Sequence, residues 1–299
     1  MSPQASDKIP TLEGEAAAAV AHRGGHVQII AAAGSGKTEV VSQRVACLLA
    51  EGEPAESIVA FTFTDKAAKE LKERIRQRAE ARLGGAATDQ LGRLYVGTIH
   101  GYCFQLLQTH VPKYETYTPL DPNQLTNLLY REQSRLKLRV HDPSNKLFNG
   151  IRMFQESIDV VENELIRIED LPESAFRESA SSYYAMLDGY RFMSFGTQIV
   201  EAVRALEDVD VRAKVTSTLK HLIVDEYQDV NSAQERLIEL LSKPHGTADL
   251  VVVGDDDQSI YQWRGSDVSN IVSFSDRYEG VTKFNLLVNR RSRPDIVKL

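Results

Sequence analysis

Twelve residues near the start of the chain, Gln28–Glu39 (QIIAAAGSGKTE), restrict its fold more than any other stretch. An apolar run enters a loop with two glycines, and Lys37-Thr38 opens a segment with helical patterning. Strand, loop and helix in that order form the setting of a phosphate-binding loop. Gly34 and Gly36 let backbone N–H groups close around phosphate oxygens, with Ala33 and Ser35 completing the cradle. The helix that follows adds the positive end of its dipole. Lys37 would reach the β- and γ-phosphates of a nucleotide, and the Thr38 hydroxyl would hold Mg²⁺. The common pattern G-x-x-x-x-G-K-[ST] has a glycine where this chain has Ala31. Ala31 closes the strand, where a small side chain suffices.

A nucleotide loop of this kind belongs to a parallel α/β sheet, and the rest of the chain agrees. Short apolar runs recur at Val27–Ala32, Ile58–Phe63, Leu94–Gly97, His221–Val224, Leu250–Val253 and Lys283–Val288. They are apolar throughout instead of alternating, which suits strands buried on both faces. Helical stretches such as Lys37–Ala50 and Asp65–Arg82 lie between them, so the expected core is a parallel sheet with crossover helices. From Cys103 to Leu219 the pattern turns helical for too long to be a loop. The expected order is thus a first α/β part (1–104), a helical insertion (105–215) and a second α/β part (216–281).

Bulk properties narrow the classes further. No apolar run approaches the ~20 residues of a membrane span, and the start MSPQASDKIP lacks the apolar core of a secretory signal. Cys47 and Cys103 fit no metal spacing and suit a reducing compartment, so a cytoplasmic location is expected. The net charge of −7 is unevenly spread. Residues 155–210 carry 13 acidic and 4 basic side chains, a net of −9 that leaves +2 elsewhere, and 66–82 carry seven basic against three acidic. That asymmetry leaves room for a polyanion on one surface.

Two further strand ends carry chemistry. In HLIVDEYQD, Asp225 would hold Mg²⁺ through water, and Glu226 could take a proton from an attacking water. In LVVVGDDDQSIYQWRGSD, three successive Asp residues do not converge on one centre. The neutral amide of Gln258, however, can sense a γ-phosphate without competing for the metal.

The segments AAAGSGKT, TFTDKAAKEL, VGTIHGYC, VDEYQDVN, VVVGDDDQSIYQWRG and NRRS stand in the order and spacing of UvrD/Rep/PcrA-type superfamily 1 DNA helicases, and the chain resembles that family. The resemblance implies a P-loop NTPase fold with a RecA-like parallel sheet, 1A, and the helical insertion as subdomain 1B. It further implies ATP and Mg²⁺ as cofactors, and a single-stranded DNA or single–double-strand junction as partner. ATP-dependent translocation in the 3′→5′ direction is the implied activity. A protein partner would meet the acidic 1B region.

Phe63, Tyr261 and Trp263 match positions where such helicases stack bases, and stacking contributes about 1–3 kcal/mol per base. On residue type alone, Phe63 reads equally as core. Thr98 and His100 match a backbone-contacting motif, although a lone histidine more often has a structural hydrogen bond. Lys66 would meet a phosphate or water, and Arg264 flanks the aromatic pair. Arg291 keeps the arginine that reaches the γ-phosphate. Two positions depart from the family pattern at the base: Ala16 replaces a base-reading glutamine, and Arg290 replaces a stacking tyrosine. A guanidinium plane can also stack, so relaxed nucleotide selectivity is expected. Residues 282–299 would open a second RecA-like domain, 2A, so this chain alone would supply half of an ATP cleft. The competing expectation is a module that binds nucleotide and DNA, or a partner, without turnover.

Overall fold

The computed structural model describes residues 9–84, 91–258, 269–292 and 295. They divide into two compact units. The first comprises the chain up to Thr98, Thr216–Val230, and the chain from Leu241 onward; the second comprises Ile99–Val215 and Asn231–Leu240.

Unit 1 is built on a parallel sheet of six strands. In chain order these are β1 (Val27–Ala31), β2 (Ile58–Thr62), β3 (Tyr95–Thr98), β6 (His221–Val224), β7 (Asp249–Gly254) and β8 (Thr282–Leu286). Their spatial order is β3-β2-β6-β7-β1-β8. Pairings such as Val27↔Val251, Leu222↔Leu250 and Val59↔Tyr95 set the register. The apolar runs are strands because helices cover them: all five residues of β2 are buried. Three helices enter the chain early: α1 (Gly14–Ala21), α2 (Lys37–Ala50) and α3 (Asp65–Leu83). Val45, Leu48 and Leu49 of α2 join Leu71 and Ile75 of α3 against Ile29, Ile58 and Val251. Thr64 caps α3 by accepting from the Ala67 N–H at 3.1 Å. Buried Arg44 closes α1, donating to the carbonyls of Ala19 and His22 at 2.7 Å each.

Two observations differ from the sequence-based expectation. The chain leaves the sheet after Thr62, so Phe63 is no strand residue; it is half-buried in the turn before α3, and Phe61 supplies the core ring. The stretch expected to open a second RecA-like domain contributes its first five residues to this sheet, as an edge strand beside β1.

Unit 2 is helical: α4 (Ile99–His110), α5 (Pro122–Glu132), α6 (Leu147–Asn163), α7 (Ala175–Tyr190), α8 (Phe195–Glu207), most of α9 (Val209–Thr216) and most of α10 (Ser232–Leu241). One short parallel pairing joins β4 (Thr118–Pro119) to β5 (Phe192–Met193). Asp121 and Gln124 form a reciprocal capping box at the start of α5, with Pro122 in the first turn, where its missing N–H costs nothing. The core gathers Leu129, Leu138, Ile151, Phe154, Ile158, Tyr183 and Met186. Among the described residues no helix is long and apolar enough to cross a membrane.

Candidate nucleotide site

The strand order creates the site. β7 lies between β1 and β6, and all three run parallel. Their C-terminal ends therefore open side by side, the place where open α/β sheets bind ligands. β1 delivers the loop 32–36, β6 delivers Asp225 and Glu226, and β7 delivers Asp255.

The loop has the backbone that its glycines permit. Gly34 and Gly36 lie at φ 74° and 97°, in the left-handed region, and Gly36 precedes the first residue of α2. The Ser35 N–H donates to the Ala32 carbonyl at 3.0 Å. The Ser35 hydroxyl is buried and has no hydrogen-bond partner among the described residues. Residues 289–292 approach closely: the Arg290 N–H donates to the Gly34 carbonyl at 2.8 Å. The Asn289 side chain, which accepts from the Arg291 and Ser292 N–H groups at 2.9 Å each, fills the space where a Gly34 Cβ would sit. Any other residue at position 34 would displace that segment.

Lys37 faces the carboxylates. Its Nζ lies 2.9 Å from Glu226 Oε2. The same oxygen accepts from Gln228 Nε2 at 2.8 Å, and Gln228 Oε1 accepts from the Asp255 N–H at 3.1 Å. The Gln258 side-chain amide in turn donates to the Asp255 carboxylate. One continuous hydrogen-bonded path thus runs from the loop lysine to Gln258. Gln228, 2% exposed, is its buried centre, and Gly254 makes room for it because a Cβ there would come 2.5 Å from Gln228 Oε1.

Three carboxyl groups share this single ammonium. Burial, reinforced by Glu226 and opposed by Lys37, pushes Asp225 up to about 7. Burial and Glu226 likewise raise Asp229 to about 6, and its Oδ1 has no hydrogen-bond partner among the described residues. Such a cluster suits a divalent cation, which would favour the ionised acids. Among the described residues no group of three His, Cys, Asp or Glu could hold a metal alone. Mg²⁺ is usually bound by one or two protein groups together with phosphate oxygens and water.

Residues 12–279 match the family model described as the UvrD/REP helicase N-terminal domain. The chain belongs to the UvrD/REP helicase family. It is similar to the ATP-dependent DNA helicase PcrA of Staphylococcus aureus, 32% identical over 309 residues that cover 99% of this chain and 39% of the relative. It is also similar to the PcrA of Staphylococcus epidermidis, at 31% over 301 residues, 97% of this chain and 39% of the relative. The chain thus spans about two fifths of the length of the curated relatives that it matches.

Among the positions that the UvrD-type resemblance singled out, the structure brings together Gly34, Lys37, Glu226, Arg290 and Arg291, and links Gln258 to them through Asp255. Lys66 stands apart: its side chain is 88% exposed, and its ion-pair neighbour is Glu70 at 3.9 Å. Thr98 ends β3, and its carbonyl accepts from the Tyr95 hydroxyl at 2.8 Å. His100 opens α4 in unit 2, with its ring 5.1 Å from that of Phe195. Tyr261, Trp263 and Arg264 lie outside the described residues. Sequence reasoning missed Gln228, Asp255 and Asn289. All three sit inside motifs already singled out, but only the fold shows which partner each one reaches.

Proposed function

We propose that this chain is the ATP- and single-stranded-DNA-binding N-terminal half of an ATP-dependent DNA helicase that translocates 3′→5′. Unit 1 corresponds to 1A and unit 2 to 1B, with the opening of 2A after β8. The Lys37–Glu226 pair at the mouth of the glycine loop carries the reading, because it joins a phosphate-binding cation to a carboxylate able to take a proton from water. Loop backbone groups, Lys37 and Arg291 would bind the phosphates, and Thr38 and Asp225 would hold Mg²⁺. When bound, that ion supplies charge neutralisation to the phosphates. Glu226 would orient and deprotonate the water once Lys37 turns to phosphate. Tyr261, Trp263 and Phe63 would stack bases, with Lys66, Thr98, His100 and Arg264 along the strand.

At the base, Ala16 is a buried methyl of α1 with no hydrogen-bonding group, and Arg290 is exposed. This supports relaxed selectivity, so GTP should be hydrolysed at a rate comparable to that of ATP; hydrolysis confined to ATP would count against it. The deciding experiment is ATP hydrolysis by the 299-residue chain with and without single-stranded DNA, beside Lys37→Ala. DNA-stimulated turnover abolished in the variant supports the motor. Nucleotide binding with no turnover under any condition would leave a binding module.

A further inference from the structure

Unit 2 contains a pocket of about 210 Å³ that no part of the nucleotide site uses. Its walls are mainly apolar and include Leu120, Leu125, Leu129, Phe154, Ile158 and Phe195. The polar groups are a biased set. Asp159 and Glu162 line it, three residues apart on α6, and among the described residues no Lys, Arg or His does.

Glu162 is 4% exposed and makes no ion pair among the described residues. The Tyr184 hydroxyl donates to it at 3.3 Å, and the Ser194 hydroxyl lies close enough to favour its ionised form. Its second carboxylate oxygen occupies the space where a Cβ of Gly196 would stand, so the glycine at the start of α8 leaves room for this acid. Tyr183, 1% exposed, lines the same pocket; its hydroxyl has Ser194 nearby but makes no hydrogen bond of standard geometry among the described residues. Ser194, also in the lining, is shared: its hydroxyl donates to Thr197 Oγ1 and accepts from the Thr197 N–H, at 3.1 Å each, and also lies near Glu162 and Tyr183.

A buried carboxyl without a cation and a buried phenol without a well-formed hydrogen bond are both costly in an apolar wall. One ligand group would resolve both. We propose that this pocket binds a small organic cation, a primary alkyl- or arylalkyl-ammonium whose apolar body packs against the Leu and Phe walls and whose charged head meets Glu162 and Tyr183. Burial already lifts the Glu162 carboxyl to about 8, the condition that an entering cation would reverse. The aromatic lining adds ring faces that attract ammonium groups. Size agrees: an apolar cavity of about 150 Å³ holds benzene, and the extra ~60 Å³ here accommodates a short aminoalkyl arm. Anions are disfavoured because the lining offers them no cation. The inference is independent of the helicase reading.

The test is calorimetric titration of the 299-residue chain with 2-phenylethylammonium and with its neutral analogue 2-phenylethanol. The amine should bind at least about tenfold more tightly than the alcohol, and Glu162→Gln should erase that preference. Tyr183→Phe should weaken the amine several-fold, and Leu125→Phe, which fills the pocket from a half-buried position, should abolish binding of both. Equal binding of amine and alcohol would overturn the proposal, as would a preference that survives in Glu162→Gln. So would the absence of amine binding up to about 10 mM. If Glu162→Gln does not fold, full amine affinity in both Tyr183→Phe and Leu125→Phe would overturn it equally.

Discussion

Glu162 makes the stability of unit 2 depend on pH in an unusual direction. Burial, reinforced by Asp159 and opposed by hydrogen bonding from Tyr184 and Ser194, raises its carboxyl from 4.5 to about 8. The folded state therefore holds a proton that the unfolded chain releases near pH 4.5. Stability from this group is complete below that pH and is lost as pH rises toward 8. At about 1.36 kcal/mol per pH unit, the span from 4.5 to about 8 sets a ceiling of roughly 5 kcal/mol, most of it lost between pH 5 and pH 8. Glutamine reproduces the shape of the protonated acid and cannot ionise. Glu162→Gln should therefore match the parent chain within about 1 kcal/mol at pH 5 and exceed it by a few kcal/mol at pH 8. Urea denaturation of both proteins at the two pH values, followed by far-ultraviolet circular dichroism, measures this. Hydrogen exchange in α6 and α8, compared between the proteins at equal pH, localises it. A difference between the two proteins that is the same at pH 5 and pH 8 would refute the reasoning, because a purely geometric effect of the substitution does not titrate.

Three further outcomes follow from particular contacts. Gly150 in α6 lies against the Leu138 backbone carbonyl with no room for a Cβ, so Gly150→Ala should cost about 3 kcal/mol of unit 2 stability in denaturant unfolding. Glu39 sits beneath Arg78, with Nε 2.8 Å from its Oε1 and both side chains little exposed. Burial alone would raise Glu39, but the bonds from Arg78 and Gln43 hold it below 4.5. Arg78→Met should therefore cost about 2–3 kcal/mol at pH 7, and the cost should shrink as pH falls below about 4.5, where the parent loses the same stabilisation. Gln258→Ala removes the far end of the path that starts at Lys37, and it should reduce DNA-stimulated hydrolysis more than nucleotide affinity. Equal losses in turnover and in binding of a fluorescent nucleotide would count against that role.

The parts of the fold that were legible in the sequence are those fixed by neighbouring residues. Strand runs such as Ile58–Thr62 announce themselves because both faces are buried, leaving no polar alternation. The helix Lys37–Ala50 has the expected bounds because Gly36, in the left-handed region, stops the loop. Phe63 shows the limit. An apolar ring after an apolar strand continues the pattern, and only the Thr64 cap shows that the chain has already turned toward α3. Helix α7 lies within the stretch that reads as helical, but its Ser-rich sequence hides the buried face formed by Ala180, Tyr183 and Leu187. Glu162 counted as one more charge in an acidic stretch, since charge counting cannot register burial.

The candidate site was legible as three separate strand ends and opaque as an assembly. Each end carries a local signature: glycines and Lys-Thr after β1, paired acids after β6, and Asp255 after β7. Nothing in those signatures fixes lateral order, and chain order would place the ends apart. Only the insertion of β7 between β1 and β6 lets Gln228 accept from the Asp255 N–H while donating to Glu226. That geometry also explains why Gln228 is buried while carrying two polar contacts. In a sheet where β6 and β7 were not neighbours its amide would be left unsatisfied, at a cost of about 1–3 kcal/mol. Gln228 therefore favours this strand order as well as linking the nucleotide loop to Gln258, and a substitution there should disturb folding and coupling together.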